Sequence, residues 1–202
     1  RQLVKPEKAD IVLANPLLTE YSALRNNLLD GLINTFAYNQ SQGNRPLNGF
    51  EIGKIFHSID GQNRESDRIS GIMGGTFLVE GRWTTGGKVP PMTWYKSKGV
   101  LDSIFKKFKI IVEYKTHKED KRLHPERTAS LWLNNKFLGI FGQLHPQICQ
   151  ELNLIGAVYG FELDFQLLLD TLNQETFLTP TFKPYSFYPP IELDLAFFVS
   201  LD

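Results

Sequence analysis

Between Pro16 and Gln42 apolar residues return every three or four positions, and that stripe constrains the fold more than any other feature of the chain. Tyr21, Leu24, Leu28, Leu32 and Phe36 trace one line, and Leu29, Ile33 and Ala37 widen it on a second flank. Spacing of this kind gathers apolar groups on one side of an α-helix. Asn15 reads as the N-cap, Pro16 as the first helical residue and Gly43 as the C-terminal stop. The spacing predicts a helix of about 25 residues, roughly 38 Å long and about twice the usual length. So long and wide an apolar face needs more than one neighbour to cover it, which points to a docking module.

Beyond Gly43 the period changes to two. Residues 49–57 alternate apolar and polar as a half-buried strand does, a polar stretch from Ser58 to Asp67 reads as a long connection, and 69–75 reads as a second strand. Gly81 to Pro91 is rich in glycine and proline and reads as a loop. Helical spacing returns over 94–108, followed by strands at 110–114, 128–133 and 137–141, the last two joined by a tight Asn134-Asn135 turn. A short helix is expected at 146–152, a strand at 158–163 and a brief helix at 165–172. Pro180, Pro184, Pro189 and Pro190 mark a linker ahead of a strand-like run, Leu193 to Val199. Antiparallel strands with flanking helices define a mixed α+β domain rather than a parallel doubly wound sheet.

The chemistry-bearing residues form no recognisable active site. With 42% hydrophobic and 22% charged residues in 202, a core can form without staples, and the one cysteine, Cys149, rules out an intrachain disulfide. Cys149 reads as a structural thiol, and there is no Cys/His spacing for a metal, no phosphate-binding glycine loop and no serine-nucleophile elbow. Gly74-Gly75 and Gly86-Gly87 read as turns or places of close strand packing. His124 and His145 each precede proline and read as turn residues whose rings bond to backbone. Glu51, Glu162 and Asp164 lie on strand-like segments and read as solvated or arginine-paired carboxylates. Lys+Arg and Asp+Glu both number 22, so the net charge is zero, and gripping nucleic acid by charge is not the main task. The basic run from Lys106 to Arg122 is nonetheless the best candidate RNA surface, with Lys107, Lys109 and Lys121 as its probes, although Glu113, Glu119 and Asp120 interrupt it. No apolar run is long enough for a membrane span, no signal-peptide core is present, and both ends look cut, so the chain reads as a soluble intracellular fragment. Aromatic residues at 12% fit a module with a permanent partner.

Several stretches taken in order resemble the β subunit of bacterial-type phenylalanyl-tRNA synthetase. They are Asn15-Pro16-Leu17 with Glu20 to Arg25 and Leu28 to Leu32, then Phe50 to Phe56, His124 to Ala129, Gly139 to Pro146, Tyr159 to Asp164, and Pro184 to Ala196. The resemblance implies a class II aminoacyl-tRNA synthetase-like antiparallel sheet flanked by helices, with a long motif-1-like N-terminal helix used between subunits. It implies a catalytic-like but non-catalytic core over 1–178, and over 179–202 a linker and the beginning of a ferredoxin-like anticodon-binding domain. The implied partners are the catalytic α subunit, in an α2β2 heterotetramer, and tRNA. ATP and magnesium are cofactors of the holoenzyme and none belongs to this fragment. The implied location is cytoplasmic, or a plastid.

Departures from the active class II pattern support that reading. Where active domains carry an arginine after the motif 2 strand, this chain has His57-Ser58, and Phe161 to Gln166 lacks the glycines and arginine of motif 3. Without those cations, amino-acid activation loses its main electrostatic stabilisation. Leu193 also replaces the arginine that usually precedes Asp194-Leu195-Ala196. The candidate subunit interface is Tyr21, Leu24, Arg25, Leu28, Leu29, Leu32, Ile33 and Phe36, with the Leu29 and Ile33 flank as the side for the partner. Two other readings stand beside this one: an active class II-like ligase with unusual site residues, and an independent RNA-binding module.

Overall fold

A computed structural model describes residues 11–18, 22–44, 47–75, 91–172, 187–189, 191 and 193–198. Its elements are α1 (Leu29–Ser41), β1 (Gly49–Ile59), β2 (Gln62–Gly74), α2 (Trp94–Lys107), β3 (Glu113–Thr116), β4 (Leu123–Leu133), β5 (Lys136–Leu144), α3 (Pro146–Glu151), β6 (Val158–Asp164) and α4 (Phe165–Leu172). The strands form one antiparallel sheet in the order β1-β2-β6-β5-β4-β3. β6 enters between β2 and β5, so the last strand of the sheet lies near its centre. The α+β class is as expected.

The first helix is not. α1 has 13 residues and begins at Leu29, with Leu28 in the N-cap position, so neither Asn15 nor Pro16 starts it. Ahead of it the chain pairs with itself: Leu13 N–H donates to Ser22 O at 2.7 Å, Leu24 N–H donates to Ile11 O at 3.0 Å, and Val12 bridges Ala23. The segment then runs along the outer edge of β1, where Arg25 O accepts from Phe56 N–H at 2.9 Å. Extended backbone there satisfies an edge strand that a helix would leave open, so a tertiary contact overrides the helical spacing of Leu24 and Leu28. Tyr21 lies outside the described residues. Gly43, with φ +71°, does terminate the helix as its spacing predicts.

The two faces of the sheet carry separate cores. On one, Leu29, Leu32, Ile33 and Phe36 of α1 pack with Ile72, Val158, Ile140 and Leu144, and α3 adds Ile148 and Cys149. On the other, Leu101 and Phe105 of α2 and Leu167 and Leu168 of α4 pack on Met73, Leu131, Phe141, Tyr159 and Phe161. Leu29 and Ile33 are 0% exposed. The flank expected to face a partner is therefore spent on this chain's own sheet. Glycine lets α1 seat closely: a Cβ on Gly160 would meet Leu29 Cδ1 at 2.7 Å, and one on Gly74 would meet Phe36 Cζ at 2.7 Å. Close packing, not a turn, explains Gly74.

A second departure is the β1–β2 connection. The polar stretch 58–67 is not a long loop, because β1 and β2 pair down to Ile59 and Gln62 around a two-residue Asp60-Gly61 turn. Both turn residues have positive φ, 51° and 73°, the geometry of the tightest hairpin connection. The outer end of this ribbon, Gln62 to Glu65, is solvated, so its residues are polar without alternation. The Asn134-Asn135 turn, at φ 50° and 61°, takes its expected form between β4 and β5. The strand-like run after Pro190 is in no strand over its described residues 193–198. Pro180, Pro184 and Gly81 to Pro90 lie outside the described residues.

Candidate functional site

A polar cluster gathers where the N-terminus of α1 meets β2, β6 and the start of β4. A helix start leaves backbone N–H groups without intrahelical partners. Here Glu162 Oε2, reaching up from β6, accepts from both Leu28 N–H and Leu29 N–H at 3.0 Å. Asn27 Oδ1 accepts from Asp30 N–H at 2.9 Å, and Asn27 Nδ2 donates back to Asp30 Oδ2 at 3.0 Å. The negative carboxylate also complements the helix dipole.

Arg122 ties this cap to the sheet. Its Nε and Nη2 donate to the two oxygens of Asp120 at 3.0 and 2.7 Å, and its Nη1 reaches Asp30 Oδ1 at 3.1 Å. The side chains are mostly shielded, with Arg122 at 18% and both aspartates at 12% exposed. Burial works to raise the Asp120 carboxyl, but the Arg122 hydrogen bonds and charge outweigh it and hold that carboxyl below the usual range. For Glu162 the balance falls the other way: burial raises its pKa, and Arg122 and the two backbone donors oppose the shift without cancelling it.

In front of the cluster lies a cleft of about 240 Å³, with His57, Arg68, Arg122 and Glu162 among its polar walls and Ile55 and Phe137 as apolar ones. It brings His57 together with the strand expected to stand for motif 3. Its cations are already engaged. Arg68 Nη1 pairs with Asp164 Oδ2 at 3.2 Å, and Arg122 holds Asp120 and Asp30. Asp164 also accepts from Leu167 N–H at 2.9 Å, capping the start of α4. Among the described residues the buried Arg68 Nε meets no partner. The arrangement binds its own carboxylates in the space where an anionic ligand would need free donors. Among the described residues no group of three or more His, Cys, Asp or Glu side chains is placed to hold a metal.

The carboxylates singled out from sequence all lie beside arginines: Glu51 on Arg25 at 2.6 Å, Asp164 on Arg68, and Glu162 in the field of Arg122. His124 and His145 behave as turn residues. His124 Nδ1 accepts from Glu126 N–H at 3.1 Å, and His145 Nδ1 accepts from Gln147 N–H at 3.2 Å at the start of α3. Arg122 was hidden in the basic run as one cation among many, and no local signal distinguished it. Of the interface candidates, Leu28, Leu29, Leu32, Ile33 and Phe36 are buried within this chain, Leu24 is half-buried, and Arg25 is 47% exposed while its Nε donates to Lys54 O. Of the RNA candidates, Lys107 is the last residue of α2, Lys109 lies two residues beyond it, and Lys121 lies in the connection between β3 and β4.

The fold is an α+β domain in which the arginines lining the cleft are paired with the chain's own carboxylates. Comparison with known proteins gives that domain its family. Residues 1–165 match the family described as phenylalanyl tRNA synthetase beta chain CLM domain, and the chain belongs to that family. It is 53% identical over 197 residues to the phenylalanine–tRNA ligase beta subunit of Trichormus variabilis, covering 97% of this chain and 24% of that protein. It is 48% identical over 200 residues to the corresponding subunit of Synechocystis, covering 99% and 25%. The Gloeobacter violaceus subunit is 40% identical over 192 residues, covering 95% and 24%. The chain thus spans about a quarter of the length of these relatives.

Proposed function

We propose that this chain is a non-catalytic structural module of the β subunit of phenylalanine–tRNA ligase, and that it supports assembly with the catalytic α subunit. The observation that carries the reading is the cleft at the head of α1. Amino-acid activation needs cations aimed at a triphosphate and its leaving pyrophosphate. Here Arg68 and Arg122 neutralise Asp164, Asp120 and Asp30, while Glu162 adds a carboxylate of its own. These residues do not fit ATP with magnesium, so no catalytic step is derived through them. In this reading the cleft is that of a class II synthetase-like sheet, and ATP and magnesium belong to the α subunit's site. The core extends to about residue 178 and the run from 179 opens a ferredoxin-like domain. The assembly is an α2β2 heterotetramer that binds tRNA, in the cytoplasm or a plastid.

Docking in this reading is through the outward ridge of α1. Gly31, Thr35 and Tyr38 are exposed, Tyr38 at 63%, and Leu24 and Arg25 extend the surface at its approach. Leu28, Leu29, Leu32, Ile33 and Phe36 then act by holding the ridge in place rather than by touching the partner. The chain alone should support no phenylalanine-dependent ATP–pyrophosphate exchange, and it should co-purify with the α subunit. Tyr38→Glu should lower that recovery several-fold without changing the thermal midpoint of the chain alone. Exchange activity in the isolated chain, or no association with the α subunit, overturns the reading.

A further inference from the structure

We infer that Asp60, at the tip of the β1–β2 hairpin, is a site of backbone isomerisation, where an aspartyl residue rearranges through a cyclic imide to isoaspartate. Asp30 carries the same local chemistry, because it too is followed by glycine. The fold opens the reaction to one of these Asp-Gly pairs and closes it to the other.

The step itself sets the requirements. The Gly61 amide nitrogen attacks the side-chain carboxyl carbon of protonated Asp60. A new C–N bond closes the imide, and the carboxyl hydroxyl leaves with the amide proton as water. Water then opens the ring at either carbonyl. Opening at the original main-chain carbonyl leaves the peptide running through the side chain, with the α-carboxyl free. Nothing is oxidised or reduced. The reaction needs a carboxyl not tied by donors, a following residue without a Cβ in the way, and backbone able to swing the nitrogen onto the side chain.

At Asp60 these conditions meet. Asp60 and Gly61 are both exposed, and a Cβ built on Gly61 would have nothing within 4 Å. Pairing of β1 with β2 ends at Ile59 and Gln62, so neither turn residue is part of the ladder. Ser58, Ile59 and Gln62 to Glu65 are exposed as well, so no core layer rests on this end of the ribbon. A solvated end of this kind opens locally at a small fraction of the global unfolding free energy. Such opening frees the backbone to bring the nitrogen to the carboxyl carbon.

Asp30 shares only the glycine. It lies buried in the first turn of α1. Arg122 Nη1 donates to its Oδ1 at 3.1 Å and Asn27 Nδ2 to its Oδ2 at 3.0 Å, so both oxygens are tied. Its own N–H donates to Asn27 Oδ1. Swinging the Gly31 nitrogen onto this side chain would break the head of a helix whose Leu29 and Ile33 are fully buried. Opening there approaches the cost of unfolding the core. Asn48-Gly49 follows a different route, losing ammonia, and it is also held: Asn48 Oδ1 accepts from Gly74 N–H at 3.1 Å, and Gly49 pairs with Ile72.

The product alters the hairpin. Isoaspartate adds a carbon to the main chain between residues 60 and 61, whereas a two-residue turn of this type closes only with both of its residues at positive φ. The added atom misaligns Ile59 with Gln62 and then the pairs behind them, His57 with Arg64 among them. His57 is a wall of the cleft at the head of α1. Isomerisation at the tip therefore loosens the ribbon on the His57 side of that cleft.

The test incubates the intact protein in warm, mildly acidic buffer. Isoaspartate is followed by peptide mapping and by methyl transfer from S-adenosylmethionine with an isoaspartyl-specific carboxyl methyltransferase. It should accumulate in the peptide containing Asp60 at least tenfold faster than in the one containing Asp30. In urea at the same pH that gap should disappear, because the two dipeptides are then equally free. Asp60→Glu, whose longer side chain closes its imide far more slowly, should remove the signal from the folded protein and leave the Asp30 signal in urea intact. The isolated isoaspartyl form should exchange amide hydrogens over residues 57–64 faster than the parent. Equal rates at Asp30 and Asp60 in the folded protein, or no isoaspartate at Asp60, overturns the proposal. So does folded-state methylation that survives Asp60→Glu, or unchanged exchange over 57–64.

Discussion

Replacing Ile33 by alanine separates a helix that faces a partner from one that closes its own core. Ile33 is 0% exposed and lies in the cluster with Ile72, Val158 and Leu144. The change removes three carbon groups, about 2.4 kcal/mol at ~0.8 kcal/mol each. The cavity left behind raises this to roughly 3–4 kcal/mol, within the range for large-to-small core changes. For a chain of this size each kcal/mol shifts the thermal midpoint by about 2–4 °C, so the fall should be roughly 6–16 °C. Scanning calorimetry of the chain without any partner measures it. Tyr38→Ala on the exposed side of α1, at 63% exposure, is the control. A surface change of that kind should stay within about 0.5 kcal/mol. A midpoint for Ile33→Ala within about 2 °C of the parent would refute the reasoning, because the residue would then not be a core residue of this chain.

Three further outcomes follow from the cluster and the hairpin. Arg122→Ala leaves Asp30 and Asp120 shielded and unpaired, and should lower stability by about 3–5 kcal/mol in urea unfolding; a loss under about 1 kcal/mol would contradict that account. Glu162 has a raised pKa from an ordinary 4.5, so its protonated form favours folding, and that contribution is present below about 4.5 and lost as pH rises through the folded value. Relative to Glu162→Gln, which does not titrate, the parent should therefore lose stability as pH rises above about 4.5, and a pH-independent difference in urea midpoints counts against it. Gly61→Ala places a Cβ at φ +73°, and should cost about 1–2 kcal/mol of thermal stability, whereas no loss would mean that the turn relaxes into another type.

The local elements were legible because their signals are local. The Asn134-Asn135 turn, the helix from Trp94, the strand from Val158 and the helix from Phe165 to Leu172 each follow from spacing or turn chemistry within a few residues. The histidines before Pro125 and Pro146 were legible as turn residues for the same reason. The start of α1 was not, since the spacing from Tyr21 to Phe36 suits a helix throughout and the competing bond, Arg25 O to Phe56 N–H, joins residues 31 apart in sequence.

The sequence by itself determined the family and the antiparallel α+β class. Tertiary structure alone decided that Leu29 and Ile33 belong to this chain's own core, that Glu162 caps a helix 133 residues away, and that Arg122 rather than its neighbouring lysines is the cation tied to buried Asp30 and half-buried Asp120. Periodicity reports that a face is apolar and never what covers it, because burial against the same chain and burial against a partner select the same residues. The long stripe that limited the fold is therefore two structures, an extended strap along β1 and a short helix on the sheet, and only the three-dimensional neighbours of Phe56 and Gly160 divide it.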